Sequence, residues 1–360
     1  MTAGPERSTR SLLSIQILRA VAALGVVLAH IFPGALIGTA GVDLFFVISG
    51  FIMVYASERH FGRRDAPRIF FLRRLARIVP VYWAVTAVLV AYLLLARVDL
   101  AAVNLSPGAI LASFLFFPLP RPDGSMLPVN FQGWTLNYEM FFYAVFAGFI
   151  VFSRQRAVAG MIALFVAIVI LGQALKPPQP FAFWADPIIL EFCFGMLIAS
   201  ACRDGVRLSL PAAAALIAAA AVAFAASAAW GPHLAWRAAE WGLPSAAIVA
   251  GCALSKGSLN LGVVGRALGF LGDASYSLYL VHFPGFLVVR KAWSLWGPAD
   301  APWLFSLLLL ASAVGAAIGL YAGFENPSRR WLQRKIEHRK DATLPMGSPV
   351  PTLPSDHMPR

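Results

Sequence analysis

Three stretches of this chain, residues 20–42, 208–236 and 301–324, contain no Asp, Glu, Lys or Arg. Each is longer than the roughly 20 apolar residues that carry a helix across bilayer hydrocarbon. A chain of 360 residues cannot hide several such runs from water, and its composition agrees: 59% hydrophobic, only 13% charged, with a mean hydropathy of +0.73. Soluble domains carry roughly 25% charged residues, so lipid must solvate much of this surface. The expected fold is all-α, a polytopic membrane helical bundle. Arg19 interrupts the first apolar stretch, which then continues well past the length of a signal-peptide core, so it reads as a retained helix.

Apolar runs separated by Arg, Pro and Gly clusters give ten expected transmembrane helices: 13–31, 40–57, 79–96, 136–152, 158–175, 184–201, 211–229, 239–255, 268–289 and 303–323. A further piece, 109–119, ends among Pro118 and Pro120 and is too short to cross, which suits a re-entrant or interfacial segment. This divides the chain into an N-terminal segment 1–12, a membrane domain 13–332 and a tail 333–360. The tail is rich in proline without periodicity from Asp341 onward, a disorder-type composition.

The net charge of +12 does not point to nucleic acid, because the basic residues lie between the spans. With both termini cytoplasmic, 22 of the 29 Lys and Arg residues fall on the inner side and six on the outer, with Arg19 inside the first span. That asymmetry is the positive-inside pattern, and it places the protein in the inner or plasma membrane. Treating 109–119 as a crossing would invert every later loop and export Arg154, Arg156, Arg203 and Arg207. Cys193, Cys202 and Cys252 sit in apolar surroundings without metal-ligand spacing and read as packing residues.

Ionisable groups inside membrane helices are costly and mark function. Arg19 and His30 are eleven residues apart on the first helix, about three turns plus 20°, so both project from one face roughly 16 Å apart. Arg19 falls near the inner surface and His30 near the outer one. A snorkelling Arg19 is the structural alternative. Asp43 opens the second span, Glu139 starts the fourth, and His282 lies toward the outer end of the ninth. Two histidines and two carboxylates thus fall at similar depth, and Asp43 can approach His30. An imidazole beside a carboxylate suits proton abstraction from a hydroxyl.

On the inner side, Arg74 and Arg77 follow Arg68 and Arg73 and share a helix face. Guanidinium forks fit phosphate oxygens, so this is a candidate site for a phosphorylated cytoplasmic donor. Ser49-Gly50 in the second span serves either close helix packing or backbone approach to a ligand. Glu191 lies deep in the sixth span without an evident partner, Asp186 reads as interfacial, and Asp273 as a helix cap.

Five blocks, in order, resemble acyltransferase family 3, integral-membrane O-acyltransferases of surface glycans: Arg19 through His30; Gly41-Val42-Asp43-Leu44-Phe45-Phe46-Val47-Ile48-Ser49-Gly50-Phe51; Arg74-Leu75-Ala76-Arg77 through Trp83; Trp134-Thr135-Leu136-Asn137-Tyr138-Glu139; and Leu271-Gly272-Asp273 through Tyr276 to His282. Glu325-Asn326-Pro327 resembles the family's closing motif. Asn137 departs from the small or hydroxyl residue common there, and the wording is closest to the exopolysaccharide-modifying branch. The resemblance implies acyl transfer from cytoplasmic acetyl-CoA, or another short acyl-CoA, to a sugar hydroxyl of an exopolysaccharide, O-antigen or related glycan. Acyl-CoA would be a co-substrate rather than a resident cofactor. Arg74 and Arg77 would hold its phosphates, Arg19 would stabilise the donor, and His30 would be the base or acyl carrier, oriented by Glu139. Ser49, Trp134, Tyr138, Tyr276 and His282 are further candidates.

This reading requires the arginines and His30 to open into one polar cleft. The competing class is a proton-coupled transporter or flippase of a glycan precursor, since intramembrane Arg, His and Glu also build proton relays.

Overall fold

The computed structural model describes residues 5–33, 36–95, 104–230, 237–257, 261–298 and 300–341. The molecule is all-helical, 82% helix with no strand among the described residues. Six helical segments are long and apolar enough to cross a bilayer: Leu13–Ile31, Ala40–His60, Ala66–Leu95, Arg154–Leu175, Leu210–Ala229 and Pro302–Glu337. They lie on α1 (Pro5–Ile31), α2 (Leu36–Ser57), α3 (Ala66–Leu95), α6 (Arg154–Leu175), α9 (Leu210–Trp230) and α13 (Pro302–Leu320). The other four expected spans are helical but shorter or interrupted. They correspond to α5 (Gly133–Phe149), α8 (Leu190–Arg203), α10 (Leu243–Leu254) and the pair α11 (Gly262–Asp273) and α12 (Ser275–Trp296). Between α3 and α5 the short α4 (Pro107–Phe114) occupies the segment expected not to cross.

Several boundaries differ from the sequence expectation for identifiable reasons. The ninth span is broken at Ala274, where Gly272 lies against the backbone of Gln16 on α1 and leaves no room for a side chain. Asp273 is the last residue of α11, and α12 begins without a side-chain cap. On α3 the helix starts at Ala66, well before the apolar run, so the arginines stand on the helix instead of in the loop before it. The last span passes through a π-helical turn, Tyr321–Glu325, into α14 (Asn326–Asp341), so helix extends into the expected tail. The remainder of that tail, 342–360, lies outside the described residues.

Burial sorts centre from periphery. Buried residues make up 78% of the apolar window on α2, but 22% of those on α6 and α9. The outward faces carry Val88, Val222, Val288 and Trp303, each at least two-thirds exposed. A belt of this kind is costly in water and neutral in lipid, which is why low charge content and helical architecture occur together here. The α2–α8 contact at the centre is backbone to backbone. A Cβ on Gly50 would strike the carbonyl of Phe192, and one on Gly195 would strike that of Val47. Small residues let membrane helices approach this closely. Gly195→Leu is expected to lower the thermal midpoint of the detergent-solubilised protein, by the ~1–3 kcal/mol or more typical of overpacking. An unchanged midpoint would show that the helices can separate there.

Candidate active site

The polar side chains of this core are distributed over three places. The first is a narrow cavity of about 90 Å³ among α1, α2, α3, α5 and α12. Typical small-molecule pockets run to roughly 300–1,000 Å³, so this one is small. Arg19, Arg74 and Arg77 line it together with Ser49, Glu139, Tyr143, Ser275 and Tyr276. Arg19 is only 6% exposed and donates to Ser275 Oγ at 2.9 Å and to Gln16 Oε1 at 3.2 Å. It is therefore anchored in the bundle and does not snorkel. Arg74 lies over the rings of Phe70 and Tyr143, at 5.5 and 6.0 Å from their centroids, and its buried Nε has no hydrogen-bond partner. Glu139 accepts from Ser49 Oγ at 3.0 Å and from the Tyr143 hydroxyl. One carboxylate thus faces three guanidinium groups. Tyr276 donates to the Ile78 carbonyl at 2.8 Å, tying α12 to α3.

Thr135 and Tyr279 also line this cavity. Thr135 Oγ1 and the Tyr279 hydroxyl are 3.0 Å apart, and both donate to the carbonyl of Gln132, at 3.1 and 3.2 Å. These three residues form a polar plug.

The second place lies beyond that plug. His30, in the last turn of α1, and His282, three residues after Tyr279 on α12, have ring centroids 5.1 Å apart. The Tyr279 and His282 rings are 6.2 Å apart. His30 Nδ1 meets the Val26 carbonyl at 2.8 Å and His282 Nδ1 meets that of Leu278 at 3.1 Å. A carbonyl oxygen only accepts, so each Nδ1 carries the hydrogen and each Nε2 presents a lone pair. Phe131 packs against His30, and Phe286 against His282.

Asp43 belongs to the third place, not to His30 as the sequence suggested. Its fully buried carboxylate is gripped by Arg237, with Nε to Oδ1 at 2.9 Å and Nη2 to Oδ2 at 2.7 Å. Glu191, also fully buried, lies beside them. Bidentate arginine pairing is the strong form of this contact, and it ties the start of α2 to the π-helical turn Ala238–Gly242 that precedes α10. Glu139 likewise departs from the expectation that it orients His30. It sits one turn, about 6 Å, deeper than Thr135 along α5, on the arginine side of the plug.

Trp134 and Tyr138 are packing residues in this arrangement. Tyr138 stacks on Phe183 with centroids 4.1 Å apart and donates to the Phe183 carbonyl at 2.8 Å, while Trp134 packs edge-on against Phe46 and Tyr138. Ser49 and Gly50 divide the two roles open to them: the serine faces the cavity and the glycine the α8 backbone. Asp186 caps the turn before α8 by accepting from the Ile188 N–H at 2.8 Å. The cysteines are free, with Cys193 and Cys202 buried.

The sequence reading passed over Thr135, Tyr143, Tyr279, Ser275 and Glu325 as site residues. Glu325 is 1% exposed, accepts from Ser277 Oγ at 2.6 Å, and acts electrostatically on Arg19. Its place in the closing Glu325-Asn326-Pro327 was the available signal, since a buried glutamate needs a cation nearby.

Comparison with known proteins follows the same outline. The acyltransferase domain of acyltransferase family 3 matches residues 12–322. The exopolysaccharide production protein ExoZ of Rhizobium meliloti is 38% identical over 306 residues, covering 83% of this chain and 92% of that protein. The acyltransferase MdmB of Streptomyces mycarofaciens is 28% identical over 360 residues, covering 89% and 87%. A putative peptidoglycan O-acetyltransferase of Bacillus subtilis, YrhL, is 24% identical over 374 residues, covering 91% of this chain and 58% of that protein. No solved structure matches this chain. The chain belongs to acyltransferase family 3, and it is an acyltransferase carried on a bundle of membrane-type helices.

Proposed function

We propose that this acyltransferase moves an acetyl or other short acyl group from cytoplasmic acyl-CoA to a sugar hydroxyl of an exopolysaccharide or related surface glycan. The observation that carries this reading is the adjacency of two unlike sites: an arginine-lined cavity, and a histidine pair in ring contact with Tyr279 of its lining. Three guanidinium groups in the cavity lining, Arg19, Arg74 and Arg77, offer donors that suit the phosphates of CoA. The unpartnered Nε of Arg74 is a buried donor awaiting an acceptor, a state that costs about 1–3 kcal/mol until filled.

Charge distribution supports cytoplasmic termini, with the arginine end facing inward and the histidines toward the outer leaflet. A further span count of ten belongs to the same reading. Similarity to an exopolysaccharide production protein supports the acceptor class.

In the reaction, the acceptor oxygen bonds to the acyl carbon as the C–S bond breaks. The hydroxyl proton passes to His30 Nε2 and then to the departing thiolate, so CoA leaves as a neutral thiol and the enzyme is regenerated. Tyr279 and Thr135 must part for the acyl group to reach His30. Neither Asp43 nor Glu139 touches the histidine, and Glu139 instead balances the donor site.

The test is thiol release by purified protein in liposomes, supplied with acyl-CoA and glycan acceptor, with mass analysis of the glycan. Acceptor movement across the membrane without thiol release would establish a transporter and sink the enzymatic donor assignment. Arg74→Ala is expected to raise the apparent KM for acyl-CoA by about 10–100-fold, the worth of one charge-assisted contact of ~1.5–3 kcal/mol, while acceptor preference is kept. An unchanged donor KM would remove Arg74 from the phosphate site.

A further inference from the structure

His30 as a base raises a question of charge. Once it holds the acceptor's proton it is an imidazolium in a partly buried site, and the carboxylates that the sequence offered as counter-ions are engaged elsewhere. Asp43 is bound by Arg237, and Glu139 by Ser49 and Tyr143. Among the described residues, the one ionisable group that acts on His282 by charge is His30. Among the described residues, the pair's other ring contacts are with Phe131 before α5, with Phe286 on α12 and with Tyr279, whose hydroxyl is committed to the plug.

His282 completes the picture. Its residue is 0% exposed and its Nε2 has no hydrogen-bond partner. Leaving such an atom unpaired is unfavourable, because it has given up water for nothing. The pairing that is missing lies close by. Ring centroids 5.1 Å apart allow nitrogens turned toward each other to come within about 3 Å, ordinary hydrogen-bond distance. Both Nδ1 hydrogens are already used on helix carbonyls, so the two Nε2 atoms offer only lone pairs, and two lone pairs cannot bond. A single added proton supplies the missing donor.

We propose that His282 is the proton-sharing partner of His30. The acceptor hydroxyl's proton arrives at His30 Nε2, and the resulting N–H is shared, as a three-centre hydrogen bond, between the acceptor oxygen and His282 Nε2 until the thiolate of CoA takes the proton. His282 is thus a positioning residue that acts through His30, doing with a neutral acceptor what a carboxylate does in other acid–base pairs. This rests on His30 being the base.

Three proteins test it: wild type, His282→Gln, which keeps a neutral hydrogen-bond acceptor, and His282→Phe, which keeps a ring and loses it. For His282→Phe the expected result is a fall in kcat of about 100-fold, the lower range for acid–base assistance, with donor KM unchanged. The acidic limb of its kcat profile moves to lower pH, because the protonated His30 has lost its stabilising partner. His282→Gln is expected to stay within about 10-fold of wild type, since a single neutral hydrogen bond is worth ~0.5–1.5 kcal/mol. Wild-type kcat and pH profile in His282→Phe would overturn the proposal. So would equal impairment of both variants with an unshifted profile, which is the mark of a packing role.

Histidine nitrogen-15 spectra of the purified protein decide the matter independently of turnover. Two well-separated titration steps are expected for the wild-type pair and a single His30 step in His282→Gln. Coincident, uncoupled steps in the wild type would overturn the pairing. If the wild type transfers no acyl group at all, the functional reading fails, and these spectra still decide whether the histidines share a proton.

Discussion

A His30→Ala protein is expected to insert, fold and bind acyl-CoA normally while losing acyl transfer. The side chain hydrogen-bonds only to the carbonyl of Val26, a group on its own helix, so its removal leaves no buried partner stranded. The ring is partly accessible and packs on Phe131 and His282 without belonging to the central core. Chemistry should suffer far more, by the ~10²–10⁴-fold typical of losing a general base. The measurement is single-turnover thiol release beside the thermal midpoint of the same preparation. A variant with normal midpoint and near-normal turnover would remove the histidine from the mechanism. One with a collapsed midpoint would show that the ring is structural.

The second large effect lies away from the chemistry. Arg237→Ala is expected to destabilise the protein by about 3–5 kcal/mol, the usual consequence of stripping the partner from a buried charge. Asp43 and Glu191 are both fully buried, and without the guanidinium two carboxylates would share one apolar site. Asp43→Asn should cost less, because the Arg237 side chain is 38% exposed and can turn to solvent once released. Thermal midpoints should therefore fall in the order wild type, Asp43→Asn, Arg237→Ala, with the donor KM of the surviving enzyme unchanged. A reversed order, or a selective loss of kcat in Asp43→Asn, would return Asp43 to the catalytic centre.

That contrast shows where sequence reasoning has reach. Cost arguments located Arg19 and Glu139 because each is a charge on an apolar helix, spacing located Arg74 and Arg77, and all four line one cavity. Depth alone put His30 and His282 at one level, together with Asp43 and Glu139, and only the packed helices show that the two rings meet. Asp43 was misjudged for the opposite reason. Its partner Arg237 is 194 positions away, and nothing local distinguishes a carboxylate aimed at one neighbouring helix from one aimed at another. Helical rotation decides that choice, and rotation is fixed by packing such as Gly50 against α8. The break at Ala274 was equally hidden, because hydropathy continues smoothly through Gly272 while the steric conflict is with a residue on α1. Tyr279 escaped notice because a tyrosine in an apolar span resembles core until its hydroxyl is seen bridging to α5.

The plug formed by Tyr279, Thr135 and the Gln132 carbonyl has an electrical meaning. A polar shaft running unobstructed from the arginines to the histidines would admit a thread of water, and such a thread conducts protons down any membrane potential. Three oxygens 3.0–3.2 Å from one another, on Gln132, Thr135 and Tyr279, stand between the arginine-lined cavity and the histidines. While idle, the enzyme can keep polar chemistry at both depths without short-circuiting the membrane that contains it.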